Sequence, residues 1–160
     1  MADAPQLGAR GGGWVVLQFA LIAAVVVAGL VGQPWPEAAR GTLGVIGAVL
    51  AFAGGALALV SARALGQSRS LTPFPRPLEL ARLVEGGPYR IVRHPMYSSG
   101  LLFFVGFSLA FSPWALLVTA VLAVVWGLKA RVEERFLGPR YDRYAAYCKR
   151  TRYRLFPYVY

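Results

Sequence analysis

The residue types that carry most metal and redox chemistry are almost missing from this chain. Of its 160 residues one is a cysteine, Cys148, and one a histidine, His94. An internal disulfide and a multi-cysteine metal site are both excluded. A zinc site would have to recruit His94, Cys148 and carboxylates far apart in sequence, so no metal is expected. Charge is scarce as well, at 15% against 57% hydrophobic residues, with a mean hydropathy of +0.52. A soluble domain of this size exposes charge over most of its surface, so the composition points to lipid as the solvent. Also absent is the strand and glycine loop of a Rossmann nucleotide site, because Gly11-Gly12-Gly13 leads into an apolar run.

Four apolar segments are present instead. The first, 14–31, has Gln18 as its strongly polar member and approaches the ~20 residues that cross a hydrocarbon core. Arg10 before it raises a signal peptide as the rival reading. The length of the run and the poor cleavage sequence Gln33-Pro34-Trp35-Pro36 favour a retained span. The second, 43–65, carries Gly44, Gly47, Gly54 and Gly55, which allow close backbone approach by a neighbouring helix or shape a lipid groove. The third and fourth come from 95–137, where Ser112-Pro113 breaks the helix. This reads as a helical hairpin with spans 95–111 and 114–137, a single kinked span being the alternative.

Charge chooses between these topologies. Arg63, Arg69, Arg76, Arg82, Arg90 and Arg93 lie between the second and third segments, and nine basic residues follow from Lys129 onward. Together they make fifteen of the seventeen Lys and Arg residues. The connection before the second span holds Arg40, and the hairpin turn holds none. Four spans put both basic regions on the cytoplasmic side, as the positive-inside rule requires, with both termini cytoplasmic; three spans do not. The net charge of +10 is then an orientation signal reinforced by anionic membrane lipids, and no nucleic-acid partner is expected.

The connection 66–94 contains Pro73, Pro75 and Pro77, too many prolines for helix or central strand. It reads as an extended segment, either a plain linker or a lid over a site. In the tail, 138–160, Tyr141, Tyr144 and Tyr147 recur every three residues and predict one aromatic face on a helix. With arginines around it, that face reads as a membrane-interface anchor.

Two polar clusters flank the hairpin. In the first, Arg93 offers a planar fork for a carboxylate or phosphate, and Tyr89 and Tyr97 offer rings that can face a cation. In the second, Glu133 and Glu134 can accept from an ammonium or from ribose hydroxyls, while Lys129 and Glu133 also form an ordinary i,i+4 pair. A ligand needing all of these is zwitterionic and cationic at once, as S-adenosylmethionine is.

The run Leu83-Val84-Glu85-Gly86-Gly87-Pro88-Tyr89-Arg90-x-Val92-Arg93-His94-Pro95-x-Tyr97 resembles the signature of the isoprenylcysteine carboxyl methyltransferase family and its phospholipid methyltransferase relatives. Glu133-Glu134-x-x-Leu137, then Tyr141, Tyr144 and Leu155-Phe156-Pro157, resembles the C-terminal half of the same family. The resemblance implies a multi-span membrane methyltransferase with S-adenosylmethionine as cofactor and a lipophilic or lipid acceptor. It implies a cofactor pocket lined by Val84, Gly87, Tyr89, Arg93, His94, Pro95, Tyr97, Glu133 and Glu134, with Lys129 and Glu134 as catalytic residues. Two positions depart from the pattern: Lys129 stands where relatives commonly carry arginine, and Ala81 where many have histidine. Prenylcysteine-like carboxylate or thiol acceptors are expected, with phospholipid amines, small thiols or a non-catalytic role as alternatives.

The expected fold is therefore an all-α integral membrane protein. It is one domain of about four transmembrane helices with a C-terminal helical hairpin, a cytoplasmic cofactor site and a prokaryotic inner-membrane location.

Overall fold

A computed structural model describes residues 5, 7, 8 and 11–158. Arg10 and the last two residues of the expected tail lie outside the described residues. The architecture is all-helical: α1 (Gly12–Val31), α2 (Glu37–Gln67), α3 (Pro95–Phe111), α4 (Pro113–Arg140) and a short α5 (Tyr144–Arg150), with a 3-10 turn at Gly87–Arg90. α2 packs chiefly on α3, α1 on α4, and α3 on α4. No strand occurs among the described residues, only an isolated parallel bridge between Val92 and Tyr153.

Three of these helices, α1, α2 and α4, are long and apolar enough to cross a membrane. The fourth expected span, α3, has 17 residues and falls short of the ~20 that an untilted crossing takes. Its ends explain the length: Pro95 occupies the first turn, and Ser112 leaves the helical conformation at φ −157°. Ser112 then caps α4 by accepting from the Trp114 amide, and its own hydroxyl donates to the Gln33 carbonyl at 2.8 Å. Helices α2 and α4 are longer than the apolar runs suggested, because Glu37–Thr42 and Gly138–Arg140 continue the helical path.

The outward faces are apolar. Val16, Val49, Phe52, Leu117 and Val124 are exposed, Phe52 to 81%. Such side chains suit lipid better than water. The interior holds Val25, Leu101, Ala115, Leu122 and Trp126. Among the glycines of α2 the structure makes a choice. A Cβ on Gly47 would strike the backbone of Gly106 and Ala110, and one on Gly54 would strike Ser99 and Phe103; Gly44 and Gly55 face open space. Gly47 and Gly54, seven residues apart, are thus the close-approach positions that seat α2 on α3.

Candidate functional site

The two polar clusters meet where α3 begins and α4 ends. Pro95 opens α3 and keeps His94 out of the helical conformation, at φ −126° and ψ 61°, and Arg93 and His94 lie along the C-terminal tail. The Arg93 amide donates to the Tyr153 carbonyl and the His94 amide to the Arg154 carbonyl, both at 2.9 Å. The Ser98 hydroxyl donates to the Leu155 carbonyl.

Glu134 is the centre of a clamp. Its Oε1 accepts from Arg93 Nε at 2.8 Å and lies 3.2 Å from His94 Nε2. Its Oε2 accepts from Arg154 Nε and Nη2 at 3.1 and 2.9 Å. Arg93 also donates through Nη1 to the carbonyls of Thr151 and Arg152. The fork expected to meet a ligand therefore braces the tail.

Glu133, one residue earlier, turns the other way. It accepts from the Tyr97 hydroxyl and lies 3.4 Å from His94 Nδ1. Both ring nitrogens of His94 thus face carboxylates. Burial alone pulls the His94 pKa down, but the hydrogen bonds to Glu133 and Glu134 prevail and leave it above the ordinary value. The His94, Tyr97 and Trp126 rings stack in series, at centroid distances of 5.8 and 5.4 Å.

Lys129 is 1% exposed and sits over the Tyr97 ring, 5.5 Å from its centroid. Its Nζ donates to Gln18 Oε1 and to the Pro73 carbonyl, each at 2.6 Å. Trp126 Nε1 donates to the same Gln18 oxygen at 3.3 Å. Gln18 was not a sequence candidate. Its one available signal was being a lone polar residue within an apolar helix, which in lipid marks an inward-facing group. Arg154 was also missed, and nothing in its local pattern distinguishes it from the other tail arginines.

These groups surround a cavity of about 580 Å³, within the range of small-molecule sites. Val84, Tyr89, Arg93, His94, Tyr97, Lys129 and Glu133 line it. Three other expected site residues, Gly87, Pro95 and Glu134, are not on its wall. Gly87 supplies a turn at φ 58°, Pro95 starts α3, and Glu134 is consumed by the clamp. The proline segment, residues 71–75 and 77, lines one side of the cavity.

The tyrosine face differs from expectation. Tyr141 precedes α5, and its hydroxyl donates to the Ala81 carbonyl at 2.9 Å. Tyr144 and Tyr147 are buried, and Tyr147 donates to the Tyr89 carbonyl at 2.8 Å. All three border the cavity. They pack inward because the tail folds back over the start of α3. Burial pushes the Tyr89 and Tyr147 hydroxyls above their ordinary pKa, so both are protonated at neutral pH. Among the described residues no group of three or more His, Cys, Asp or Glu is placed to hold a metal ion.

Residues 42–143 match the family described as phospholipid methyltransferase. That range contains Arg93, His94, Lys129, Glu133 and Glu134 but ends before α5 and Arg154. Over 73 residues the chain is 41% identical to the cobalt-zinc-cadmium resistance protein CzcN of Cupriavidus metallidurans, a match covering 43% of this chain and 33% of that protein. With more than half of its residues in the matched range, the chain belongs to the phospholipid methyltransferase family.

Proposed function

We propose that this protein is a membrane-embedded, S-adenosylmethionine-dependent methyltransferase acting on a lipophilic acceptor, a prenylcysteine-like carboxylate or thiol. The observation that carries the reading is the mixed lining of the cavity. Tyr89, Arg93, His94, Tyr97, Lys129 and Glu133 line it together with the apolar Phe19, Ala58, Leu65 and Met96. A zwitterionic, cationic ligand suits the polar and aromatic groups, and an acyl or prenyl chain suits the apolar ones. In this reading all four long helices cross the bilayer, α3 and α4 as a C-terminal hairpin with α3 the short member. The positive-inside rule then sets the cavity and both termini on the cytoplasmic face of a prokaryotic inner membrane.

S-adenosylmethionine, when bound, supplies a methyl group on an electrophilic sulfonium carbon. Glu133 would accept from the ligand's ammonium or ribose hydroxyls, and the rings of Tyr89 and Tyr97 would face its positive charge. Val84 would contact it from the loop side. Arg93, His94, Pro95, Gly87 and Glu134 would hold that wall rigid. Lys129, with two oxygen acceptors and an aromatic ring around its Nζ, would orient an anionic acceptor. A carboxylate acceptor is already deprotonated and needs no base there, whereas a thiol must first give its proton to a base or to solvent. A phospholipid amine, the second reading by family name, attacks as its neutral free base and would first have to lose its ammonium proton. Exclusion of water by the proline segment would favour the transfer.

The test is calorimetric titration of S-adenosylmethionine into the detergent-purified protein, beside Glu133→Gln, Arg93→Ala and Glu134→Ala. Micromolar binding by the parent, weakened in Glu133→Gln, is expected. No binding by a demonstrably folded parent would overturn the reading and favour a non-catalytic membrane protein.

A further inference from the structure

Residues 71–75 and 77 line one side of the cavity, yet the segment has little of its own with which to hold position. Pro73, Pro75 and Pro77 have no amide N–H to donate. The Phe74 amide is turned inward on the segment, donating to Thr72 Oγ1 at 3.2 Å. At the base of the segment, the Ser70 hydroxyl donates to the Arg82 carbonyl at 2.7 Å and the Arg82 amide to the Ser68 carbonyl at 3.0 Å. Those bonds close a loop and leave its middle to other attachments.

Two attachments reach the middle from the helices. One is steric: Pro75 is buried against Gly11, whose φ of 72° and missing side chain make the room. A Cβ on Gly11 would stand 2.6 Å from the Pro75 Cγ. The other is polar: Lys129 Nζ donates to the Pro73 carbonyl while Gln18 Oε1 holds the same ammonium from the opposite helix. The bond is short and charge-assisted, hence among the stronger kinds. It joins α1, α4 and the proline segment at one atom.

We propose that the 71–77 segment is a lid over the cavity and that Lys129, anchored by Gln18, is the positioning residue that latches it shut. Displacing this segment, by breaking the Lys129–Pro73 hydrogen bond and unseating Pro75 from Gly11, would widen entry to the cavity for a molecule of cofactor size. The helices need not move. Lys129 therefore has a task in access to the site that is separate from any contact with an acceptor. The lid goes beyond the methyltransferase reading; only its consequence for cofactor exchange rests on that reading.

Hydrogen–deuterium exchange on the whole chain in nanodiscs, without ligand, tests the latch. The amides read are those of Phe74, which donates to Thr72 Oγ1, and of Ser70 and Arg82, whose bonds to Leu65 and Ser68 close the base of the segment, in the parent, Lys129→Met and Lys129→Arg. Exchange in Lys129→Met is expected to be about tenfold faster or more, with the amides of α1 to α4 unchanged. Lys129→Arg keeps the charge and the donors and restores most of the protection. Unchanged exchange of the lid in a folded Lys129→Met protein overturns the proposal. Should that variant lose helix protection, Gln18→Met decides: a smaller but local rise supports the latch, and none overturns it. Release of radiolabelled S-adenosylmethionine, measured separately, is expected to quicken in Lys129→Met. If the parent binds none, the methyltransferase reading fails while the exchange result on the lid stands.

Discussion

Arg154 grips Glu134 through two nitrogens, Nε at 3.1 Å and Nη2 at 2.9 Å, and in doing so ties the C-terminal tail to the end of α4. Both side chains are mostly shielded, at 24% and 15% exposure. Removing the guanidinium leaves a charged carboxylate with fewer partners. Arg154→Ala is expected to destabilise the fold by about 2 kcal/mol, read as a lower melting temperature in detergent. Arg154→Lys recovers part of the loss because it keeps the charge without the two-pronged geometry.

Glu133 and Glu134 are neighbours with separable effects. Glu133 borders the cavity, whereas Glu134 is held by Arg93, His94 and Arg154. Glu133→Gln keeps an oxygen for the Tyr97 hydroxyl but loses the charge facing His94, and is expected to weaken S-adenosylmethionine binding by roughly tenfold or more while costing less stability than the change at Glu134. Glu134→Gln leaves two arginines and a histidine around a neutral amide, and is expected to cost about 3 kcal/mol of stability. Calorimetry and thermal melts on both variants separate the two outcomes.

His94 gives the protein a pH dependence of known sign. Its folded-state pKa is raised, because hydrogen bonds to Glu133 and Glu134 outweigh the opposing effect of burial. A raised value means the folded state holds the proton more tightly than the unfolded chain. The stabilisation is complete below the unfolded value of about 6.5 and is lost as pH rises through the folded value. Melting temperature is expected to fall as the buffer is taken upward from about pH 6.5. In His94→Gln that slope should flatten; a slope equal to the parent's would assign the dependence to another group.

Gly54 and Gly55 are adjacent but not equivalent. A methyl on Gly54 would run into the backbone of Ser99 and Phe103, whereas Gly55 faces open space. Gly54→Ala is expected to lower the melting temperature by separating α2 from α3. Gly55→Ala is expected to be neutral or to stabilise by up to ~1 kcal/mol through helix propensity.

The sequence by itself determined the solvent, the secondary-structure type and the two polar clusters that the fold brings together. An apolar majority with little charge requires lipid-facing helices, and Ser112-Pro113 must interrupt any helix drawn through it. The two polar clusters were visible because charge beside an apolar run is rare and conspicuous. Tertiary structure decided which atoms meet. Gln18 and Lys129 are 111 positions apart, and no local period relates them; only the packing of α1 on α4 brings them together. The same holds for the choice of Gly47 and Gly54 over Gly44 and Gly55, which depends on the rotation of α2 against α3. It holds too for the opposite duties of Glu133 and Glu134: successive residues on a helix point about 100° apart. Periodicity sets that difference in direction, and the returning tail, with Arg154 at its turn, determines which of the two carboxylates is left to face the cavity.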